Sequence, residues 1–314
     1  MGTSTPRWAK MVSWKYAHLP AQQVIEDLRE NHGIDTYRSH IQSVSYDVGE
    51  RLLAQEPNIT YSHGIEKNLV KSISIGRDGA MLKLKQGQYR EAMVGTLSLI
   101  GADRTVLHTI YIGDGPEYGK AHFEESMSRE IKALKAEFGE VPWSAVADGA
   151  SHNWVFLQHH VQTQIIDWWH GWQYIRAAIE VIFLQEEKAK KQCEKWEKRL
   201  QEKQDSILDL LKLLKKNNKK LEKQQIHSQE LQNAITYIKN HKHQMNYALY
   251  LKKGYLIGSG VTESACKTLI KSRFCGCGMQ WEINNTRNMT MMRGLVLTPN
   301  RWKQAWNAIT KSAA

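Results

Sequence analysis

Cysteine is scarce and scattered in this chain. The 314 residues hold four, Cys193, Cys266, Cys275 and Cys277. No CxxC pair is present, and only Cys275 and Cys277 lie close together. That argues against a zinc site and a disulfide framework, and it fits a reducing compartment. Long apolar runs are missing as well. No stretch approaches the ~20 apolar residues that span a bilayer. Met1 to Tyr16 lacks the apolar core of a signal peptide. The composition therefore predicts a soluble, cytoplasmic chain with no membrane partner.

Positive charge is what the chain has in excess. There are 43 Lys and Arg against 32 Asp and Glu, a formal net charge of +11. Such a balance suits a polyanion, because each neutralised phosphate releases condensed counterions. Charge alone does not establish that partner, since many basic proteins bind no nucleic acid. With 41% hydrophobic residues the chain can bury a real core, and its length allows two domains or one domain with a large insertion.

Hydrophobic spacing divides the chain into four parts. Residues 1–62 read as helical. Ala21, Val24, Ile25 and Leu28 fall on one helical face, and Ile41, Val44, Val48 and Leu52 on another. Between them, Gly33 stands where a helix C-cap belongs. Two helices about such a turn predict a helix-turn-helix-like unit that contacts DNA, the alternative being an ordinary helical hairpin. In 63–172 the period changes to two. Three strand-like runs end near residue 112 and are followed by a helix carrying Phe123, Met127, Ile131, Leu134 and Phe138. Then come a short strand ending at Asp148, a helix near 153–160, and a strand from Val161 to Ile166. That order of elements is the order of an RNase H-like fold. The predicted class is therefore α/β, with a mixed-sheet core of that kind.

Residues 173–254 read as a large all-helical insertion in the form of a long hairpin, with a break at Asn217-Asn218. From Glu186 to Lys223 it carries 13 Lys and Arg against 8 Asp and Glu. This is a solvated helical pair or a DNA-contacting one. Residues 255–314 open on Gly258-Ser259-Gly260, a helix start with Ser259 as N-cap.

Phosphodiester chemistry with two divalent ions needs carboxylates from separate elements converging on ions roughly 3.5–4 Å apart. Hard Mg²⁺ or Mn²⁺ takes oxygen ligands. Asp78, in Gly76-Arg77-Asp78-Gly79, is placed at or just past the end of the first strand. Asp148, in Ala147-Asp148-Gly149, ends the fourth. In the proposed topology those strands are neighbours. The third ligand has to come from a helix across that edge, and Glu263, in the first turn after Gly260, is the best placed. Asp78, Asp148 and Glu263 are thus the candidate catalytic and metal-binding residues, for two Mg²⁺ or Mn²⁺ ions. Lys267 and Lys271 follow at steps of four, where DNA phosphates would pass. Asp167 and His170, in Asp167-Trp168-Trp169-His170, either lie near the metals or the DNA or tie the core to the insertion through hydrogen bonds. The stretch Arg273 to Trp281 alternates basic, glycine and aromatic residues. It reads as a segment lying along DNA or as a glycine-rich loop closed by a buried Trp.

Several segments resemble bacterial insertion-sequence transposases of the Kra type, relatives of the Mutator-like elements. They are Thr5 to Met11 with Lys15-Tyr16-Ala17, Arg90 to Thr96, Pro116 to Lys120, Asp148-Gly149-Ala150 with Asn153-Trp154, and Ile257 to Lys267 followed by Gly278 to Trp281. The resemblance covers nearly the whole chain. It implies a triad at Asp78, Asp148 and Glu263, and it matches Asp167-Trp168-Trp169-His170 to an acid-x-x-His signature of Mutator-like enzymes. It implies a metal-dependent transposase that acts on transposon ends and target DNA as a homo-oligomer at the nucleoid, with no small-molecule substrate. His152 stands where an acid is expected and Gln280 where an Arg is usual. Relatives carry a longer region before the entry segment, so a shortened or split reading frame is an expectation too. The rival expectations are a nuclease of the same fold without strand transfer, and a non-catalytic DNA-binding remnant.

Overall fold

The computed structural model describes residues 4–117 and 120–311. Tyr118 and Gly119, within the segment Pro116 to Lys120, lie outside them. The chain opens with three helices, α1 (Pro6–His18), α2 (Ala21–His32) and α3 (Arg38–Gln55). Thr5 caps α1 by accepting the Trp8 N–H, with Pro6 at the first helical position, where its missing N–H costs nothing. Gly33 ends α2 at φ 64°, a left-handed position that glycine adopts without strain. The stripes on α2 and α3 are buried as their spacing predicts, with Ile25 partly so. α3 packs on α1 and on a C-terminal helix.

Five strands form one mixed sheet: β1 (Ser72–Lys83), β2 (Tyr89–Ile100), β3 (Val106–Asp114), β4 (Trp143–Ala147) and β5 (Thr163–Ile166). Their order is β3-β2-β1-β4-β5. The first three form an antiparallel meander; β4 adds in parallel beside β1, and β5 in parallel beside β4. The crossovers are α4 (Ala121–Phe138) and α5 (Ser151–Leu157). All five apolar stripe residues of α4 are buried.

Alternation along β1 and β2 feeds two separate cores. Ile73, Ile75, Met93, Leu97 and Leu99 join α4 and the helices after β5. Ala80, Leu82, Ala92 and Val94 join α1–α3 and the C-terminal helices. Side chains at even positions of β1, Asp78 among them, face the second group, since successive residues point to opposite faces.

The segment after β5 differs from the predicted hairpin. It consists of α6 (Trp168–Ile182), α7 (Glu186–Glu202), α8 (Ser206–Lys223), α9 (Gln229–His241) and α10 (Tyr247–Lys252). α6 begins inside the predicted core segment, and its Trp172, Ile175 and Ile179 share the sheet's core with Leu200, Leu210 and Ile238. Asn217 and Asn218 lie within α8, where their amides bond the Leu213 carbonyl and the Glu222 carboxylate. The chain turns instead at Asp205 and Gln225, both at positive φ. After α10 come α11 (Gly260–Ala265), a π-helical turn (Cys266–Lys271), α12 (Ser272–Phe274), α13 (Ile283–Leu297) and α14 (Arg301–Lys311). Trp281 is buried between a tilted Phe274 ring and the Arg273 guanidinium, so its side chain closes a glycine-rich loop rather than standing open. Trp302 and Trp306 pack α14 onto the second core. All four cysteines are free thiols. Among the described residues no helix is long and apolar enough to cross a membrane.

Candidate carboxylate site

Asp78 lies within β1, not at its end as the sequence predicts. The reason is that the strand has two partners of unequal length. The parallel pairing with β4 stops at Gly76 opposite Val146, while the antiparallel ladder with β2 carries on through Asp78 opposite Val94. Asp78 therefore stands where β4 has just parted from β1. Asp148 follows directly after β4, near enough for its charge to act on Asp78.

Burial raises the pKa of the Asp78 carboxyl, and the charge of Asp148 adds to the rise. The Gly79 N–H, 2.7 Å from Oδ1, and the Cys266 thiol, 3.5 Å from Oδ2, pull the other way. Cys266 remains a protonated donor, because burial and the Asp78 charge drive its own pKa upward. Asp148 is held by its neighbours in the chain. Its Oδ1 accepts the Ala150 N–H at 3.0 Å and the Asn153 Nδ2 at 3.1 Å, and its carbonyl accepts the Trp154 Nε1 at 2.8 Å.

Glu263 comes from α11, which crosses β1 and β2 at very short range. Thr262 Oγ1 lies 2.8 Å from Thr96 Oγ1. A Cβ on Gly76 would fall 1.8 Å from that same Thr262 oxygen. Glycine at 76 is what lets the helix sit this close. Cys266, three residues beyond Glu263 on the same helix, then reaches Asp78. Ser259 occupies the N-cap position, but its hydroxyl points to Glu263 Oε1 at 3.5 Å and caps no backbone N–H.

Asp167 joins these parts. It is 1% exposed and caps α6: its Oδ2 accepts the backbone N–H and the Nδ1 of His170, both at 2.8 Å. Its Oδ1 accepts the Ser259 N–H at 2.5 Å. One carboxylate thus pins the start of α11 to the start of α6. Because a carboxylate only accepts, His170 Nδ1 is the donor in this contact. Ligand atoms of Asp167, His170 and Glu263 all lie within 4.8 Å of one another. Among the described residues Asp78, Asp148 and Glu263 do not close into so tight a triple. Two ions ~3.5–4 Å apart, with bonds of ~2.1 Å, are reached by outer ligands up to ~8 Å apart, so a two-ion site does not demand that span.

The donor set suits a hard cation. Among the described residues, none of Asp78, Asp148 and Glu263 forms an ion pair, in a chain of net charge +11. Other acids are matched: the buried Asp114 by His122 and Arg287, and the part-buried Glu130 by Arg301. Asp167 is different, with three hydrogen bonds already on its two oxygens. Lys267 and Lys271 are exposed on the outer side of the helix. Asn153, Cys266 and the glycine at 76 have defined parts in this arrangement that spacing alone did not assign to them. No protein-family model matches the chain, and a search of curated proteins found no match.

Proposed function

We propose that this chain is the catalytic part of a DNA transposase with an RNase H-like core. The strand order, a three-strand antiparallel meander followed by β4 parallel to β1 and β5 parallel to β4, supports that fold. The observation that carries the function is a gathering of carboxylates without basic partners. Asp148, just after β4, acts on the Asp78 carboxyl of β1, and Cys266, one turn beyond Glu263, donates to it, which supports a shared site for the three acids in a strongly basic protein.

The reaction is an in-line displacement at phosphorus. Water attacks a phosphodiester at the transposon end, a P–O bond forms as the P–O3′ bond breaks, and a 3′-hydroxyl is released. That hydroxyl then attacks a target phosphodiester in the same way, joining the two strands. A pair of divalent ions held there would stabilise the negative charge on the attacking and leaving oxygens. The residues themselves hold the geometry. Asn153 and the Ala150 N–H orient Asp148, the Cys266 thiol orients Asp78, and Asp167 fixes where α11 presents Glu263. Lys267 and Lys271 supply positive charge for the phosphates of the bound strand.

The test is cleavage and strand transfer on a labelled end with Mg²⁺ or Mn²⁺. Asp78→Asn and Glu263→Gln are expected to abolish both while leaving DNA binding intact. Full activity in either variant would refute the assignment.

A further inference from the structure

A second site stands at the far end of the same helix. A cleft of about 970 Å³ opens between α1–α3 and the segment 277–285, lined among others by Arg38, Tyr46, Lys85, Arg273 and Trp281. Its floor holds donors that the fold leaves unused. Arg273 is 2% exposed and forms no ion pair among the described residues. It lies between the Tyr16 and Trp281 rings, at 4.7 and 4.8 Å, and its Nε donates to the Tyr16 carbonyl. Its Nη2 finds no acceptor among the described residues, and neither does the buried Trp281 Nε1. Leaving a buried donor unpaired is costly, more so when it is charged.

A second uncompensated cation sits behind it. Arg293 is 4% exposed and bonds only backbone carbonyls and the Ser272 hydroxyl. Burial and the Arg273 charge push its pKa down to about 10. Arg38 and Lys85 add charge at the rim, and the one acid lining the cleft, Glu282, is paired to Lys85 at 2.7 Å. Buried donors without acceptors under a positive rim call for an anionic, acceptor-rich occupant.

One stretch of helix links the cleft to the carboxylate site. The helix from Glu263 to Phe274 touches β1 through Cys266 at Asp78, Cys275 just past its end donates to the Met81 carbonyl, and Trp281 then bridges to Lys83 and Lys85. Lys267 and Lys271 stand exposed between the two ends. The eleven residue steps from Glu263 to Phe274 span about 17 Å at a helical rise, and the seven steps from Asp78 to Lys85, just past the end of β1, about 23 Å. At about 3.4 Å per nucleotide, either path corresponds to five to seven nucleotides. We propose that this cleft binds the sugar-phosphate backbone of the DNA strand five to seven nucleotides from the phosphodiester that reacts. The inference rests on the DNA reading above.

The probe is a duplex oligonucleotide carrying iodouracil at successive positions on one strand. Binding is measured by anisotropy across a salt series, and photocrosslinks are mapped by mass spectrometry. Arg38→Gln with Lys85→Gln changes two exposed rim residues and spares the buried Arg273. It is expected to lower the slope of log affinity against log salt by about two, one per lost phosphate contact. In the wild type, crosslinks should fall within residues 273–282 or 16–46. An unchanged slope with crosslinks elsewhere overturns the cleft, and so does a wild type that binds a peptide or RNA there but no DNA. Cleavage is scored separately. Cutting with an unaffected slope sinks the cleft alone, while binding through the cleft without cutting sinks the catalytic reading alone.

Discussion

Replacing Asp167 by alanine should loosen the joint that presents Glu263. The carboxylate is 1% exposed and holds three donors: the Ser259 N–H, the His170 N–H and His170 Nδ1. Loss of an N-cap costs about 1 kcal/mol. The Ser259 N–H, on a residue 9% exposed, loses its acceptor, at about 2–3 kcal/mol for a bond to a charged group. The imidazole is 42% exposed, so water replaces that bond at little cost. The sum is about 3–4 kcal/mol. At about 2.1 cal/mol/K per residue, the unfolding entropy of 314 residues is about 0.7 kcal/mol/K, so Tm should fall by about 5 °C. Asp167→Asn keeps an oxygen for one side of the joint and should fall between wild type and Asp167→Ala. Thermal and urea unfolding followed by circular dichroism measure both. A loss below 1 kcal/mol in Asp167→Ala would show that this carboxylate does not fix the start of α11.

Other perturbations probe other parts. Because burial and Asp148 raise the Asp78 pKa, the folded chain holds that proton to higher pH than the unfolded chain does. Stability is then lost as pH rises from about 4, the unfolded carboxylate range, through the folded value. In metal-free buffer, Asp78→Asn should therefore be more stable than wild type at pH 7 and lose that advantage near pH 4, as read by urea unfolding at both. Gly76→Ala puts a methyl against Thr262 and should cost at least about 1–3 kcal/mol while displacing Glu263. Its cleavage rate should fall further than that of a mutant equally destabilised elsewhere. Arg301→Ala breaks a part-buried bidentate pair between α14 and Glu130 of α4, neither of which supplies a residue to the carboxylate site. It should lower stability by about 3–5 kcal/mol and leave the cleavage rate of the folded fraction unchanged.

Much of the architecture is legible in the sequence because it is written as local periodicity. The α4 stripe from Phe123 to Phe138, the stripes of α2 and α3, and the short apolar run before Asp148 all fall where their spacing puts them. What escapes is set by partners distant in sequence. The extent of β1 past Asp78 depends on β2, whose pairing outlasts that of β4, and nothing in the residues around 78 reports that difference. Asn217-Asn218 looks like a break, yet both amides find acceptors one turn away inside α8, and the apolar stripe through Leu214 and Leu221 runs on. The real turns, at Asp205 and Gln225, carry no glycine or proline. The three acids could be singled out by type and position, but the support around them could not. The Ser259 N–H, the Asn153 amide and the Cys266 thiol matter through contacts that only the folded chain creates.

The most direct measurement is anomalous scattering from crystals soaked in Mn²⁺. Two peaks about 3.5–4 Å apart, bounded by Asp78, Asp148 and Glu263 and lost in Asp78→Asn, are the predicted result. A single peak held by Asp167, His170 and Glu263, with Asp78 and Asp148 taking no part, would contradict it.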